Sequence, residues 1–171
     1  MKVNREPLRV LGIDPGLTRM GVGVVEECDG QLWALDSGTL KSSPREETAE
    51  RLKVLFEALR ELLDHWQPQA VATERLFFKL NAQTAVPAMQ ASGVAMLAAA
   101  LAGVQVHEYT PAEVKQAVVG YGDATKNQIR FMVERILGPE AVPDSPDAAD
   151  GLAVAITHLS ARRLAHLEVV R

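Results

Sequence analysis

The sequence is short of cysteine, of long apolar runs and of positive charge, and each shortage narrows what the protein can be. Cys28 is the single cysteine, so an internal disulfide is impossible. The longest apolar run, 94–104, is much shorter than the roughly 20 residues that a membrane-spanning helix needs. The N-terminal residues 1–7 lack the apolar core of a signal peptide. We therefore expect a cytoplasmic protein that has no membrane partner.

The net charge of −4 weighs against a nucleic-acid partner, because the phosphate backbone favours proteins rich in lysine and arginine. Part of the negative charge, however, belongs to four acids that a divalent metal ion would offset. The net charge alone therefore does not decide the partner. The length of 171 residues is that of one domain with a good hydrophobic core, and we predict a single domain spanning residues 1–171.

Apolar periodicity and turn signals predict ten elements in the order β-β-β-α-β-α-β-α-α-α. The predicted strands are 8–14, 21–27, 31–40, 70–74 and 104–109. The predicted helices are 45–66, 82–102, 111–119, 124–137 and 146–167. The Asp29-Gly30 pair is a hairpin signal, and the last two strands are reached through helices. This order predicts an α/β fold with a mixed five-stranded sheet and helices on both faces.

Four carboxylates fall at the ends of these elements. Asp14 and Glu74 end two apolar strands, and in such sheets the functional site lies at the carboxyl ends of the strands. Asp147 and Asp150 are three residues apart in a first helical turn, so they share one face. Each acid alone is equally typical of a turn, a strand end or a helix cap. Together they predict a site for Mg²⁺ or Mn²⁺, which prefer oxygen ligands, and such a site can hold two ions that cleave a phosphodiester.

Basic and aromatic residues near the acids suggest a nucleic-acid substrate. Lys126 lies in the first turn of a helix predicted to be capped by Asp123, where a cation opposes the helix dipole, and it could bind a phosphate or be an exposed lysine. Lys115 has the same two interpretations. Phe77 and Phe78 follow the Glu74 strand beside Lys79, and one ring could stack on a base while the other packs in the core. Both phenylalanines could also be core residues.

Four segments resemble the RuvC family of Holliday-junction resolvases. They are LGIDPG (11–16), ERLF (74–77), VKQAVVG (114–120) and DAADGLAVAITH (147–158), and they occur in the family's order and spacing. The resemblance covers about residues 8–158. Gly151 departs from the family pattern, because alanine is common there and glycine weakens a helix interior by up to about 1 kcal/mol.

The resemblance implies a ribonuclease-H-like fold and a homodimeric endonuclease. It also implies Mg²⁺-dependent nicking of two opposed strands of a four-way DNA junction, which leaves 5′-phosphate and 3′-hydroxyl ends. The RuvA–RuvB branch-migration complex is the implied partner. The family's catalytic carboxylates fall on Asp14, Glu74, Asp147 and Asp150, its functional lysines on Lys115 and Lys126, and its stacking ring on Phe77. Some family members carry histidine at the position of Asp147.

Three further interpretations follow from the same residues. The helix 82–102, rich in small residues and methionine, is either the dimer interface or a buried core helix. The 14–18 segment is similar to the phosphate loop of actin-like sugar kinases, but those proteins need two such domains and 171 residues are too few. A ribonuclease-H-like module that processes nucleic acid without resolving junctions is the remaining alternative, and the presence of all four acids counts against it.

Overall fold

A computed structural model describes residues 6–76, 82–142 and 145–169, and in these residues the predicted order of strands and helices is confirmed. The strands are β1 (Leu8–Asp14), β2 (Arg19–Cys28), β3 (Gln31–Lys41), β4 (Ala70–Glu74) and β5 (Gln105–Tyr109). The helices are α1 (Thr48–Trp66), α2 (Ala82–Leu101), α3 (Pro111–Val119), α4 (Lys126–Leu137) and α5 (Pro146–Val169), with a short 3-10 turn at Pro139–Ala141.

The strands form one mixed five-stranded sheet, as the sequence predicts, and the structure shows their order to be β3-β2-β1-β4-β5. β1, β2 and β3 are antiparallel neighbours, whereas β4 lies parallel to both β1 and β5. Asp29 and Gly30 both have positive φ, at 51° and 81°, which is the backbone of the tight turns that favour hairpins. Several predicted boundaries shift by one to three residues. β2 begins at Arg19 rather than at residue 21, and α1 begins at Thr48 rather than at residue 45 because a turn closes between Ser43 and Glu46.

Each face of the sheet carries its own hydrophobic core. Val10 faces a cluster that α3, α4 and α5 complete, while its neighbour Leu11 faces a second cluster that α1 and α2 complete. This alternation follows from the two-residue period of a strand. The helices therefore cover both faces of the sheet. The side chains of Val10 and Leu11 are fully buried.

Helix α5 lies directly on the backbone of the sheet, and glycine makes this contact possible. A Cβ atom on Gly21 of β2 would lie 2.0 Å from the carbonyl oxygen of Asp147. A Cβ atom on Gly151 of α5 would lie 2.6–2.7 Å from the backbone of Val22. Glycine at position 151 therefore allows this close packing, which explains why this helix interior accepts it. The contact fixes the first turn of α5 beside the end of β1, because Gly21 pairs with Asp14.

Helix α2 has both buried and exposed apolar side chains. Ala91, Ala95 and Ala99 are buried against the core shared with α1. Met89 and Leu97 are exposed on other parts of the same helix. Among the described residues, we find no helix that is both long enough and apolar enough to cross a membrane.

Candidate functional site

Asp14 and Glu74 end two strands that lie side by side. β1 and β4 run parallel, with Ile13 opposite Thr73, so the next residue of each strand emerges at the same edge of the sheet. Both carboxylates line one pocket, which Asp150 of α5 enters from the covering layer of helices. The structure therefore brings three of the four predicted acids together, at the strand edge where the sequence places the site.

Two lysines from the helical layer complete the lining of this pocket. Lys115 comes from α3, whose start is fixed by a capping box in which Thr110 and Glu113 satisfy each other's backbone N–H groups. Lys126 is the first residue of α4. Thr125 caps α4 by accepting from the Gln128 N–H, so the predicted cap at Asp123 was wrong. Helices α3 and α4 thus present one lysine each to the carboxylates.

Burial and mutual repulsion raise the pKa values of Asp14 and Glu74. Burial, followed by the nearby charges of Glu74 and Asp150, raises the pKa of Asp14 to about 7. Burial and the charge of Asp150 also raise the pKa of Glu74, although Lys126 and Lys115 partly oppose this. The pKa values of two neighbouring acids in one cleft are thus raised, and such perturbation is typical of functional sites, because a protein built only for stability would avoid it.

Lys126 is bound to the carboxylate cluster by a direct contact. Its Nζ donates to Oδ2 of Asp150 at 3.0 Å. This hydrogen bond, reinforced by the negative charges of Asp150, Asp14 and Glu74, raises the pKa of Lys126. The ammonium group is therefore cationic at neutral pH. The pairing also explains a lysine in a first helical turn, where the helix dipole alone would disfavour it.

Asp147, the fourth predicted acid, is engaged elsewhere. Its Oδ2 accepts from Nε of Arg19 at 2.7 Å and lies 2.6 Å from Nη2 of the same guanidinium. The hydroxyl of Thr39 donates to that oxygen at 3.4 Å. Asp147 is not among the residues that line the pocket, although its charge still contributes slightly to the raised pKa of Asp14. The sequence did not predict Arg19 as a partner of Asp147, because β2 was predicted to begin two residues later.

The donor set of the pocket fits a hard divalent cation. The acidic side chains that line the pocket offer only carboxylate oxygens to a metal, and these suit Mg²⁺ and Mn²⁺. In the described residues, no three acidic, histidine or cysteine side chains already stand in a metal-binding arrangement. Burial, followed by the charges of Glu74 and Asp150, nevertheless raises the pKa of Asp14 by more than Lys126 offsets. A divalent cation would relieve that repulsion.

The predicted DNA-stacking segment cannot be placed. Phe77, Phe78 and Lys79 lie outside the described residues, so the predictions for them stay predictions. The chain that leads to them is anchored, since the backbone N–H of Arg75 donates to the carbonyl of Tyr109 at 2.7 Å. This bond continues the pairing of β4 with β5.

His158, the last residue of the DAADGLAVAITH segment, lies on α5 and is buried. Nδ1 of His158 lies 2.8 Å from the hydroxyl of Tyr109, and its ring packs against His107 with the centroids 4.3 Å apart. Burial, aided by the nearby His107 and Arg162, lowers the pKa of His158 to about 4. The ring is therefore neutral at physiological pH. Its hydrogen bond ties α5 to β5, two helical turns beyond Asp150.

Comparison with known proteins places these features in one family. The sequence model described as "Crossover junction endodeoxyribonuclease RuvC" matches residues 10–158. The protein of that name from Roseiflexus sp. (strain RS-1) is 50% identical over 150 residues, which cover 88% of this chain and 89% of the relative. The relative from Syntrophomonas wolfei is 45% identical over 157 residues, covering 92% and 91%.

Solved structures agree with this. Thermus thermophilus RuvC in complex with Holliday junction substrate superposes with a TM-score of 0.86 at 38% identity, over 92% of this chain and 96% of that one. The yeast mitochondrial Holliday junction resolvase shares the fold, with a TM-score of 0.66 at 12% identity over 93% of this chain and 82% of that one. The ribonuclease-H-like α/β fold is thereby confirmed. With the family model and close relatives covering most of its length, the chain belongs to the RuvC family of crossover junction endodeoxyribonucleases, which are metal-dependent nucleases.

Proposed function

We propose that this protein resolves four-way DNA junctions, by hydrolysing one phosphodiester in each of two opposed strands at the pocket between β1, β4 and α5. The observation that carries the proposal is the crowding of Asp14, Glu74 and Asp150 in that pocket, with the pKa of Asp14 raised to about 7. A cluster of desolvated acids costs stability, and it is explained if the cluster binds a cation during catalysis. The complex of Thermus thermophilus RuvC with Holliday junction substrate supports the choice of DNA.

Asp14, Glu74 and Asp150 would hold Mg²⁺, or Mn²⁺ in its place, and we expect two ions per site with Asp147 as a further ligand. Such ions supply an activated water and stabilise the leaving oxygen of the phosphodiester. Asp14 must be ionised to bind a metal, and its raised pKa means that metal binding releases a proton from part of the population near pH 7. The acids of this chain therefore orient the reacting groups and set the pH range of activity.

We assign Lys126 to charge stabilisation. Its ammonium is held against Asp150 and is exposed on its other side, so it can meet the scissile phosphate while the carboxylates bind the metal. Lys115 lines the same pocket and contributes a second positive charge near the DNA backbone. Cleavage would leave a 5′-phosphate and a 3′-hydroxyl. We further propose that Phe77, Phe78 and Lys79 contact the junction.

We propose that a homodimer performs the reaction. A four-way junction has two equivalent strands to cut, and a two-fold dimer presents two pockets symmetrically. The exposed apolar side chains of α2, among them Met89 and Leu97, support this helix as the dimer interface. We also propose that residues 1–171 form one nuclease domain, that the enzyme acts in the cytoplasm, and that it cooperates with the RuvA–RuvB complex.

The test is a cleavage assay on a synthetic four-way junction and on a plain duplex of the same sequence, with Mg²⁺, Mn²⁺ or a chelator. We expect symmetric cutting of the junction alone, dependent on the metal. Asp14→Asn should still bind the junction in metal-free buffer but should not cut it. Asp64→Asn is the matched control, because it removes one negative charge from the exposed side of α1. Equal cutting by Asp14→Asn and wild type, or equal cutting of duplex and junction, would overturn the proposal.

A further inference from the structure

The ion pair between Asp147 and Arg19 stands at the rim of the carboxylate pocket. Two nitrogens of the guanidinium, Nε and Nη2, lie 2.7 and 2.6 Å from the same oxygen, Oδ2 of Asp147. Thr39 donates its hydroxyl to that oxygen at 3.4 Å, and its Oγ1 lies 2.6 Å from Oγ of Ser145, just before α5. Asp147 is thus tied to β2 and β3, whereas Asp150, one turn further along α5, faces the pocket.

The sheet register explains why these two residues meet. Gly21 pairs with Asp14 at the end of β1, so Arg19 lies two residues beyond that end and is not covered by β1. The carbonyl oxygen of Asp147 packs on Gly21, since a Cβ atom added to Gly21 would lie 2.0 Å from that oxygen. The same backbone contact therefore brings Asp147 within reach of Arg19 on one side and of Asp14 on the other.

Asp147 is paired with an arginine, and its charge affects Asp14 less than those of the other two acids do. Three carboxylates raise the pKa of Asp14, and Asp147 contributes the least of the three, after Glu74 and Asp150. A negative charge that is paired with a guanidinium 2.6 Å away repels its neighbours less than an unpaired one. A metal ion that binds the carboxylate of Asp147 would share it with the guanidinium, two nitrogens of which contact Oδ2.

We propose that Arg19 is a positioning residue that retains Asp147 at the rim of the pocket and competes with the divalent metal for its carboxylate. The inference rests on the proposed metal-dependent function. The side chains of Arg19 and Asp147 are 49% and 26% exposed, so the pair is a partly solvated one. Such a pair shifts an equilibrium by no more than about fivefold, which is weak enough for a metal to displace it. Arg19 thus tunes the metal concentration that the enzyme requires.

The test is calorimetric titration of Mn²⁺ into the DNA-free protein, a measurement that does not depend on cleavage. Because Arg19→Gln frees the carboxylate of Asp147, we expect it to lower the dissociation constant of Mn²⁺ by about threefold. Arg19→Lys keeps the charge and should bind Mn²⁺ nearly as wild type does. Arg51→Gln is the matched control. It removes a guanidinium that donates a hydrogen bond to Thr18, the neighbour of Arg19. This change should leave the dissociation constant of Mn²⁺ unchanged.

The double variant decides whether Arg19 acts through Asp147. In an Asp147→Asn background, Arg19→Gln should no longer alter Mn²⁺ binding. Equal tightening in both backgrounds would mean a general effect of charge and would overturn the proposal, as would unchanged or weaker binding by Arg19→Gln. Failure of the proposed function looks different, because wild type would then bind Mn²⁺ no better than Asp14→Asn does. That result would also remove the competition proposed for Arg19.

Discussion

Replacing Asp14 with asparagine should make the metal-free protein more stable while abolishing its activity. The asparagine side chain keeps the shape of aspartate but carries no charge, so it avoids the cost of burying a charge and the repulsion from Glu74 and Asp150. The pKa of Asp14 rises from 3.8 to about 7 on folding, and each pH unit corresponds to about 1.36 kcal/mol. The variant should therefore gain up to about 4 kcal/mol in the free energy of unfolding at pH 8.

The sign of the pH dependence follows from the raised pKa. The folded protein holds the Asp14 proton more tightly than the unfolded chain does. Protonated Asp14 therefore contributes stability that is fully present below pH 3.8 and is lost as the pH rises through about 7. The gain of Asp14→Asn over wild type should fall from about 4 kcal/mol at pH 8 to less than about 2 kcal/mol at pH 5.

Thermal unfolding in chelator measures the gain, and about 4 kcal/mol corresponds to roughly 8–16 °C in Tm for a domain of this size. Adding Mg²⁺ should raise the Tm of wild type far more than that of the variant, because the ion binds the folded carboxylates. Asp64→Asn, on an exposed surface of α1, should show neither effect. A variant that is no more stable than wild type at pH 8, or a gain independent of pH, would refute the account of a strained acid cluster.

Three further predictions concern the residues around the pocket. Gly21→Ala should cost at least about 2 kcal/mol in urea unfolding because its Cβ meets the backbone of α5, whereas Gly38→Ala has open space and should be near neutral. Lys126→Gln should slow junction cleavage by about 100-fold, and Lys53→Gln on α1 should not. Because the pKa of His158 is lowered, its stabilising contribution is present above pH 6.5 and is lost as the pH falls towards 4. The loss in the free energy of unfolding is up to about 3 kcal/mol. His158→Gln should flatten this acid-induced loss in equilibrium unfolding, and an unchanged profile would show that the ring is not buried as described.

The elements and three of the acids could be predicted because local rules control them. Strand and helix periods give the order of the elements, and the carboxyl ends of parallel strands meet at one edge, which places Asp14 beside Glu74. Asp150 follows because the packed face of α5 aims its first turns at that edge. The family resemblance then connects these positions to DNA cleavage.

The remaining features depend on contacts between distant segments. The partner of Asp147 is Arg19, which is 128 residues away, and no local pattern could reveal that the pair forms. Gly151 looks like a weak point of a helix until the backbone of Val22 is seen against it. The cap of α4 was assigned to Asp123 because aspartate is a good capping residue, but the capping box formed by Thr125 and Gln128 satisfies more of the backbone.

The most direct test of the central claim is to ask whether DNA ligase can seal the products of a synthetic four-way junction that this protein has cut in Mg²⁺. A dimer that places two metal-dependent pockets symmetrically predicts paired nicks in opposed strands, with 5′-phosphate and 3′-hydroxyl ends that ligase joins into intact duplexes. Products that ligase cannot seal, cuts in only one strand, or full cutting in the presence of a chelator would contradict the account.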